Sequence, residues 1–453
     1  MTDPSTGPAV ADAAQVRHAP LDAAEVARLH EAALELLATR GAPLGGETTL
    51  ALFAAAGASA DPAGGRVLMP AELVRRLLAS SPASFVLPGR TADRDVTVGG
   101  GRGGLMAATA AAPDVGAAAL LADALPEVAA VGVPTRRLAE LPAALEATAK
   151  PVLVCGVMSV AQADLVIAVA AALGGRDGDP RAPLGVVVHS AEQTDLDPLL
   201  ACARAGLPCG FFAPPLLDRA PADRAEALVA LHAAALAACA ATQLAAPGAP
   251  YLVPALPIAV EEQVAGFGLG PAGVATFAQL AQLAAHAGLP IAAGFPPTRP
   301  AADEWLAAAD GTAFALAAAL GGAALMAAAG HTDGGASWSP AQLALDAETW
   351  SNVGAVSAGI AVDPETIALD TIAAVGIGGN ALSQRHTRRH MKDVWRPRLF
   401  DRSAYEAWQR EGRQAAPERA AALADAVVAG HEVPPIDVEK RATLRRIIAT
   451  AGL

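Results

Sequence analysis

Charged side chains are scarce in this 453-residue chain, at 17% against roughly 25% in ordinary soluble domains. Aromatic residues are scarcer still, at 4%, with two Tyr and five Trp. Each absence removes a class. With 32 basic against 45 acidic residues the net charge is −13, the wrong sign for a general polyanion binder, so nucleic acid is not an expected partner. There are four Cys (155, 202, 209 and 239) and no C-x-x-C pair, which points to buried thiols in a reduced compartment. No G-x-S-x-G nucleophile elbow occurs, and no G-K-[ST] follows the Gly-rich tract at 99–104. Residues Met1 to Pro20 include Asp3 and Asp12 and lack an apolar core, so no signal peptide is read there and a cytoplasmic location is expected.

What the chain has in quantity is apolar residues, 53%, and a mean hydropathy of +0.37. Two runs, Ala227–Val260 and Gly311–Gly330, carry no Asp, Glu, Lys or Arg and are long enough to cross a bilayer. The first is broken by Pro247, Pro250, Pro254 and Pro257, both are Ala-dominated, and neither has a Lys/Arg flank, so buried elements are expected and no membrane partner.

The pattern divides the chain into three. Residues 1–99 read as an N-terminal extension of helices and short strands. Asp22 caps a helix ended by Gly41, two further helices fit Glu47–Ala56 and Ala71–Ala79, and strand-like pieces fit Ser84–Leu87 and Asp95–Val98. Residues 100–360 repeat one grammar. A short apolar run is followed by an Ala/Leu-rich helical stretch, with runs at Leu105–Ala108, Ala129–Val133, Val152–Val157, Gly185–Val188, Pro208–Phe212, Tyr251–Leu256, Pro290–Ala293 and Ala323–Ala328. This alternation predicts an α/β fold, a (β/α)8 parallel barrel of the TIM type. An open doubly wound sheet is the alternative, but it calls for G-x-G-x-x-G after its first strand, which is absent. Residues 361–453 form a C-terminal extension expected to pack on the barrel. It holds a basic run, Arg385 to Arg402, that reads either as a solvated helix or as a docking face for an acidic protein.

A barrel of this kind does its chemistry at the carboxyl ends of the strands. There the chain places few nucleophiles. His189 and His331 are possible bases or ligands, with structural imidazoles as the plain alternative. Gly330, Gly334 and Gly335 leave the surroundings of His331 open. Acids arrive in loops: Glu261-Glu262, Asp303-Glu304, Asp333, Asp346 and Glu348. The Cys lack the H-x-C partner of a thiolate zinc site, so no metal bound by this chain is expected.

The segment GIGGNALSQRHTRRHMKDVWRPRLFDRSAYEAWQREG (Gly376–Gly412) resembles the G-x-G-G-x-F-L-x-x-x-H-T, W-x-P and Y-x-x-W block of the trimethylamine methyltransferase family of corrinoid-dependent enzymes. SPAQLALDAETW (Ser339–Trp350) is similar to the S-x-E-x-L-x-x-D-x-E segment of that family, and LHEAALELLATRGAPL, LFAAAGASAD and GRVLMPAELVRRLLASSPASFVLPGR also fit. The resemblance implies an eight-fold α/β barrel. It further implies methyl transfer from a methylated amine to the Co(I) of a cobalamin (corrinoid) cofactor carried on a separate corrinoid protein. Ordinary residues fill Ala292–Trp305, where founding members hold pyrrolysine, so the chain looks like a non-pyrrolysine member. The loop TRPAADEW keeps only Asp303 of the family's S-K-x-x-D-x-Q, and FFAPPLLDRAP stands for G-A-T-A-P, which implies a changed substrate.

A quaternary amine is a soft cation that leaves as a neutral amine, so aromatic faces and a carboxylate suit it. Phe211, Phe212, Phe295 and Trp305, with His189 and Asp333, are the expected substrate-binding residues. Asp303, Glu304 and His331 are the expected catalytic ones, His331 as donor to a betaine carboxylate. The reading is thus a betaine-like amine demethylase, acting as a homo-oligomer. The alternatives are a non-catalytic amine-binding or regulatory barrel on the same scaffold, and an enzyme of this scaffold with a changed methyl donor.

Overall fold

The computed structural model describes residues 18–61, 65–100, 103–189, 195–212, 224–255, 271–294 and 304–451. Helix Ala23–Thr39 starts at a capping box, in which Asp22 Oδ1 accepts the Glu25 N–H at 2.7 Å and Glu25 Oε2 accepts the Asp22 N–H at 2.8 Å. Its Val26, Ala33, Leu34 and Leu37, at helical spacing, are buried.

Eight parallel strands close into a barrel: β1 Gly104–Ala108, β2 Val128–Pro134, β3 Val152–Val157, β4 Leu184–His189, β5 Cys209–Phe212, β6 Tyr251–Ala255, β7 Ile291–Ala293 and β8 Leu325–Ala329. Strand β8 pairs with β1 through Leu325↔Gly104 and Met326↔Leu105, which completes the closure. The (β/α)8 expectation therefore holds, with strand bounds within one or two residues of those read from sequence. An open sheet would have left two unpaired edges.

The strands bury both faces, which is why they read as continuous apolar runs. One face of Leu105, Val131, Val154, Val186, Phe211, Tyr251 and Ile291 packs under the surrounding helices. The other, with Met106, Ala130, Leu153, Leu252, Ala292 and Leu325, fills the barrel interior. The antiparallel hairpin of strands Phe85–Leu87 and Val96–Val98 adds Phe85, Leu87 and Val98 to that interior cluster. It closes the amino end: a Cβ at Gly185, near the start of β4, would lie 3.5 Å from Leu87 Cδ2. That leaves the carboxyl ends for ligands.

Helix Arg224–Ala245 is the one helix among the described residues long and apolar enough to cross a membrane by length and composition. Here it is a barrel helix, with Leu236, Ala237, Ala238, Cys239, Ala240 and Ala241 buried in the core.

The C-terminal extension has two parts. Helices Ala416–Ala429 and Val438–Thr450 sit against barrel helices and bury Ala420, Ala424, Leu444 and Ile448. Two buried acids hold their neighbourhood. Asp123 accepts from Thr148 Oγ1 at 2.7 Å, the Ala149 N–H at 2.8 Å and His431 Nε2 at 2.7 Å. Glu348 Oε1 accepts the N–H groups of Arg398 at 2.8 Å and Leu399 at 3.1 Å. Helices Pro364–Ile367, Leu369–Val375 and Arg385–His390 between them contain no buried residue.

Candidate active site

At the carboxyl ends of the strands lies a cavity of about 510 Å3, within the usual range of small-molecule sites. Its wall is mainly apolar: Met106, Leu153, Val187, Leu252, Pro254 and Ala292 make up much of it, with Cys155, Met158, His189 and Phe212 nearer the strand ends.

His189 and Phe212 end adjacent strands and are register partners, which brings their rings into a parallel stack, 5.1 Å between centroids and 2° between planes. Burial lowers the His189 pKa, so the imidazole is neutral at neutral pH. Phe211 is placed otherwise than expected. Successive strand residues point to opposite faces, so Phe211, 7% exposed, joins the core under the helices and does not line the cavity.

Strand β2 ends at Pro134, and the 3-10 turn Thr135–Glu140 carries two arginines. Arg137 is consumed locally: it pairs with Glu140 and donates from Nη1 to the Ala112 carbonyl at 2.6 Å. Arg136 lines the cavity instead, donates from Nη2 to the Ala110 carbonyl at 3.1 Å, and has no carboxylate partner among the described residues. It is the one lining residue with a fixed charge among those described. Sequence reasoning did not single it out; its only signal was its position just past a strand end.

Two bulges shape the rim. Gly156 has φ +86° where the β3–β4 register shifts, and its carbonyl accepts Thr135 Oγ1 at 2.7 Å. Ala328 has φ +71° where the β8–β1 register shifts.

His331 follows β8 in a two-residue strand, His331–Thr332, paired with Ser337–Trp338, and is not among the lining residues. Burial first, then the charge of Arg136, lowers its pKa, so the two groups share one end of the barrel. Its Nε2 is buried with no hydrogen-bond partner among the described residues. The turn before it is held by Asp346, whose carboxyl accepts the Gly330 N–H and Gln342 Nε2, both at 2.7 Å; burial pushes its pKa up to about 7. Asp333 is exposed, at φ +50° in the next turn. Asp303 and Phe295 lie outside the described residues; Glu304 and Trp305 open helix Glu304–Gly321, and their side chains lie outside as well.

The cysteines offer no thiolate at neutral pH. Burial raises the Cys155, Cys202 and Cys239 thiols to about 12, and Cys209 upward likewise. Among the described residues one set of possible metal ligands converges, Glu365, His386 and His390 in the C-terminal extension, none of which lines the cavity.

A closed parallel barrel with an apolar cavity at its strand carboxyl ends defines a TIM-type barrel built to hold a small molecule. The chain belongs to the trimethylamine methyltransferase family, whose model, described as trimethylamine methyltransferase (MTTB), matches residues 8–119 and 120–451. It is 28% identical over 465 residues to a trimethylamine methyltransferase MttB of Desulfitobacterium hafniense, covering 94% of this chain and 92% of that one. A trimethylamine methyltransferase MttB of Methanosarcina barkeri is 29% identical over 276 residues, 60% of this chain and 54% of that one. A glycine betaine methyltransferase of Desulfitobacterium hafniense is 38% identical over 95 residues, 21% of this chain and 20% of that one. In fold the chain is similar to the crystal structure of the Methanosarcina barkeri monomethylamine methyltransferase (MtmB), with a TM-score of 0.50 at 10% identity, covering 96% of this chain and 89% of that one.

Proposed function

We propose that this chain removes a methyl group from a quaternary amine that also carries a carboxylate, a betaine-like substrate, and passes it to a corrinoid held by a separate protein. The charge balance of the cavity carries the reading: among the described residues it has an apolar wall, one His–aromatic stack and one guanidinium without a carboxylate partner, Arg136. Among the described lining residues, a simple tetraalkylammonium ion would meet only the like charge of Arg136. A betaine brings its own counter-charge, and its carboxylate is a natural partner for a guanidinium.

The Phe212 face and the apolar wall would hold the trimethylammonium group, which cannot donate hydrogen bonds. Arg136 would fix the carboxylate, and His331, whose Nε2 is buried off the cavity wall, would act on the site only through its proximity to Arg136. Anchoring both ends orients one N–CH3 bond toward the mouth, and such positioning is where much of the barrier reduction comes from. A Co(I) corrinoid, when bound, supplies the nucleophile, and the amine departs neutral with the N–C electron pair. Asp303, Glu304, Phe295, Trp305 and Asp333 remain proposed contributors to the same mouth. The reaction belongs in the cytoplasm, where thiols stay reduced.

The test is to reduce a corrinoid protein to Co(I), add this chain, and offer glycine betaine, longer betaines, trimethylamine and tetramethylammonium, with demethylated product read by mass spectrometry. Turnover confined to the carboxylated amines is expected. Turnover of tetramethylammonium alone, or of none, overturns the reading.

A homo-oligomer is part of the proposal. Ile360 (84% exposed), Val362, Leu369, Ile377 and Leu382 stand uncovered on the segment that also carries the basic run. A second copy of this chain, set against the same exposed apolar side chains, is the proposed cover. Light scattering should find a multimer; a monomer at every concentration overturns this part.

A further inference from the structure

The exposed helices of the C-terminal extension bring Glu365, from Pro364–Ile367, against His386 and His390, from Arg385–His390. We infer that Glu365, His386 and His390 bind one divalent transition-metal ion, best matched by Zn2+, which staples these two helices together. This inference is independent of the proposed reaction.

Three observations support it. His386 and His390 stand at i and i+4, so one helix face presents both rings, with centroids 4.5 Å apart. His386 Nε2 lies 4.0 Å and His390 Nε2 3.8 Å from Glu365 Oε1, and the three ligand atoms all fall within 4.8 Å of one another. Bonds of about 2.0–2.1 Å in a tetrahedral zinc site put ligand atoms roughly 3.3 Å apart, so small rotations suffice. Finally, His390 Nδ1 lies 2.8 Å from Asp393 Oδ2. The carboxylate can only accept, so Nδ1 carries a proton; in the neutral ring Nε2 then holds the lone pair, on the side of Glu365, as in carboxylate–histidine–metal arrangements.

Two imidazoles and one carboxylate suit zinc, with water completing the set. His386 Nε2 now lies 2.9 Å from the Glu365 carbonyl oxygen; ligation moves its proton to Nδ1. Arg389 contacts the Glu365 carboxylate and comes within 3.4 Å of His390 Nε2, so a cation already sits where the metal would. An exposed ion pair of this kind is weak and readily displaced. The staple also answers a structural need. Helices of four and six residues are unstable alone, and neither buries a residue here.

The full chain, stripped with a chelator and dialysed, is titrated with Zn2+ against a chromophoric chelator and with Co2+ by visible absorption. One equivalent per chain and a tetrahedral Co2+ spectrum are expected. His386→Ala and His390→Ala should each abolish that equivalent, and Asp393→Ala should weaken it about 10–100-fold. Zn2+ should slow proteolysis across residues 358–395 in the wild type and not in His390→Ala, a readout that does not depend on activity. Arg389→Ala should bind more tightly than the wild type. No uptake by the wild type, uptake only by Arg389→Ala, or undiminished uptake by the His386→Ala/His390→Ala chain each overturns the inference.

Discussion

The Phe212 ring lies parallel to the His189 ring, 5.1 Å away, because their Cα atoms are register partners on adjacent parallel strands, while Phe211 faces the opposite way into the outer core. Neighbouring phenylalanines therefore have separable roles. Phe212→Ala should raise KM for the methylated amine about tenfold, the loss of a cation–π and apolar contact of roughly 1–2 kcal/mol, with a small change in Tm. Phe211→Ala should cost about 3–5 kcal/mol of stability, with near-normal KM in the folded fraction. Steady-state kinetics beside calorimetry checks both; equal KM effects would remove Phe212 from the site.

Arg136 sets the preference for a carboxylate. Arg136→Met should raise KM for a betaine about 10–150-fold, the equivalent of roughly 1.5–3 kcal/mol for a charge-assisted contact. Arg137→Met, which breaks the pair with Glu140, should act on Tm instead. Tetramethylammonium should bind the Arg136→Met protein better than the wild type, since a repelling charge is gone. Competition binding reads this reversal, and equal affinities in both proteins would refute the charge argument.

His331→Gln keeps a donor of similar size, and His331→Ala removes it. His331 Nε2 is buried off the cavity wall; if the rim opens on binding so that it meets the substrate carboxylate, KM should rise slightly for Gln and by one to two decades for Ala, with Tm unchanged. A lower Tm for Ala with unchanged KM would make it a structural residue of the Gly330 turn.

Acid should weaken the fold through a buried histidine pair. His30 Nδ1 lies 2.9 Å from His232 Nε2, and both side chains are buried. Burial, then the neighbouring His30 and His286, lowers the His232 pKa to about 3; His30 shifts down for burial and His286, against an upward pull from Glu31. With the folded pKa of His232 below its unfolded 6.5, the unfolded chain binds the extra proton between those values. Its contribution is complete above about pH 6.5 and falls by up to ~1.4 kcal/mol per unit as pH drops toward 3. The Tm drop between pH 7 and pH 5 should shrink in His232→Gln; an identical slope in both proteins would refute it.

Much of the fold was legible because it is local. Eight apolar runs bounded by Pro and Gly gave strand positions within a residue or two, and Asp22 marked a helix start, where the structure adds Glu25 to complete a capping box. The family was legible too, in the Gly376–Gly412 block. The direction of each strand residue was not. Parallel barrel strands are apolar on both faces, so nothing in Phe211-Phe212 says which ring enters the cavity; closure and register decide that.

Charge partners were hidden for a related reason. Arg136 and Arg137 are indistinguishable as letters, and only the turn after β2 gives one to Glu140 and leaves the other at the cavity. The H-x-x-x-H spacing of His386 and His390 is visible in sequence, whereas Glu365 joins them only when the short helices fold back. The sequence by itself determined the strand–helix alternation and the barrel, because hydrophobic periodicity and turn residues act over a few positions. Which side chains share the cavity, and which charges remain unpaired there, only the tertiary structure decided, because those contacts join residues dozens of positions apart.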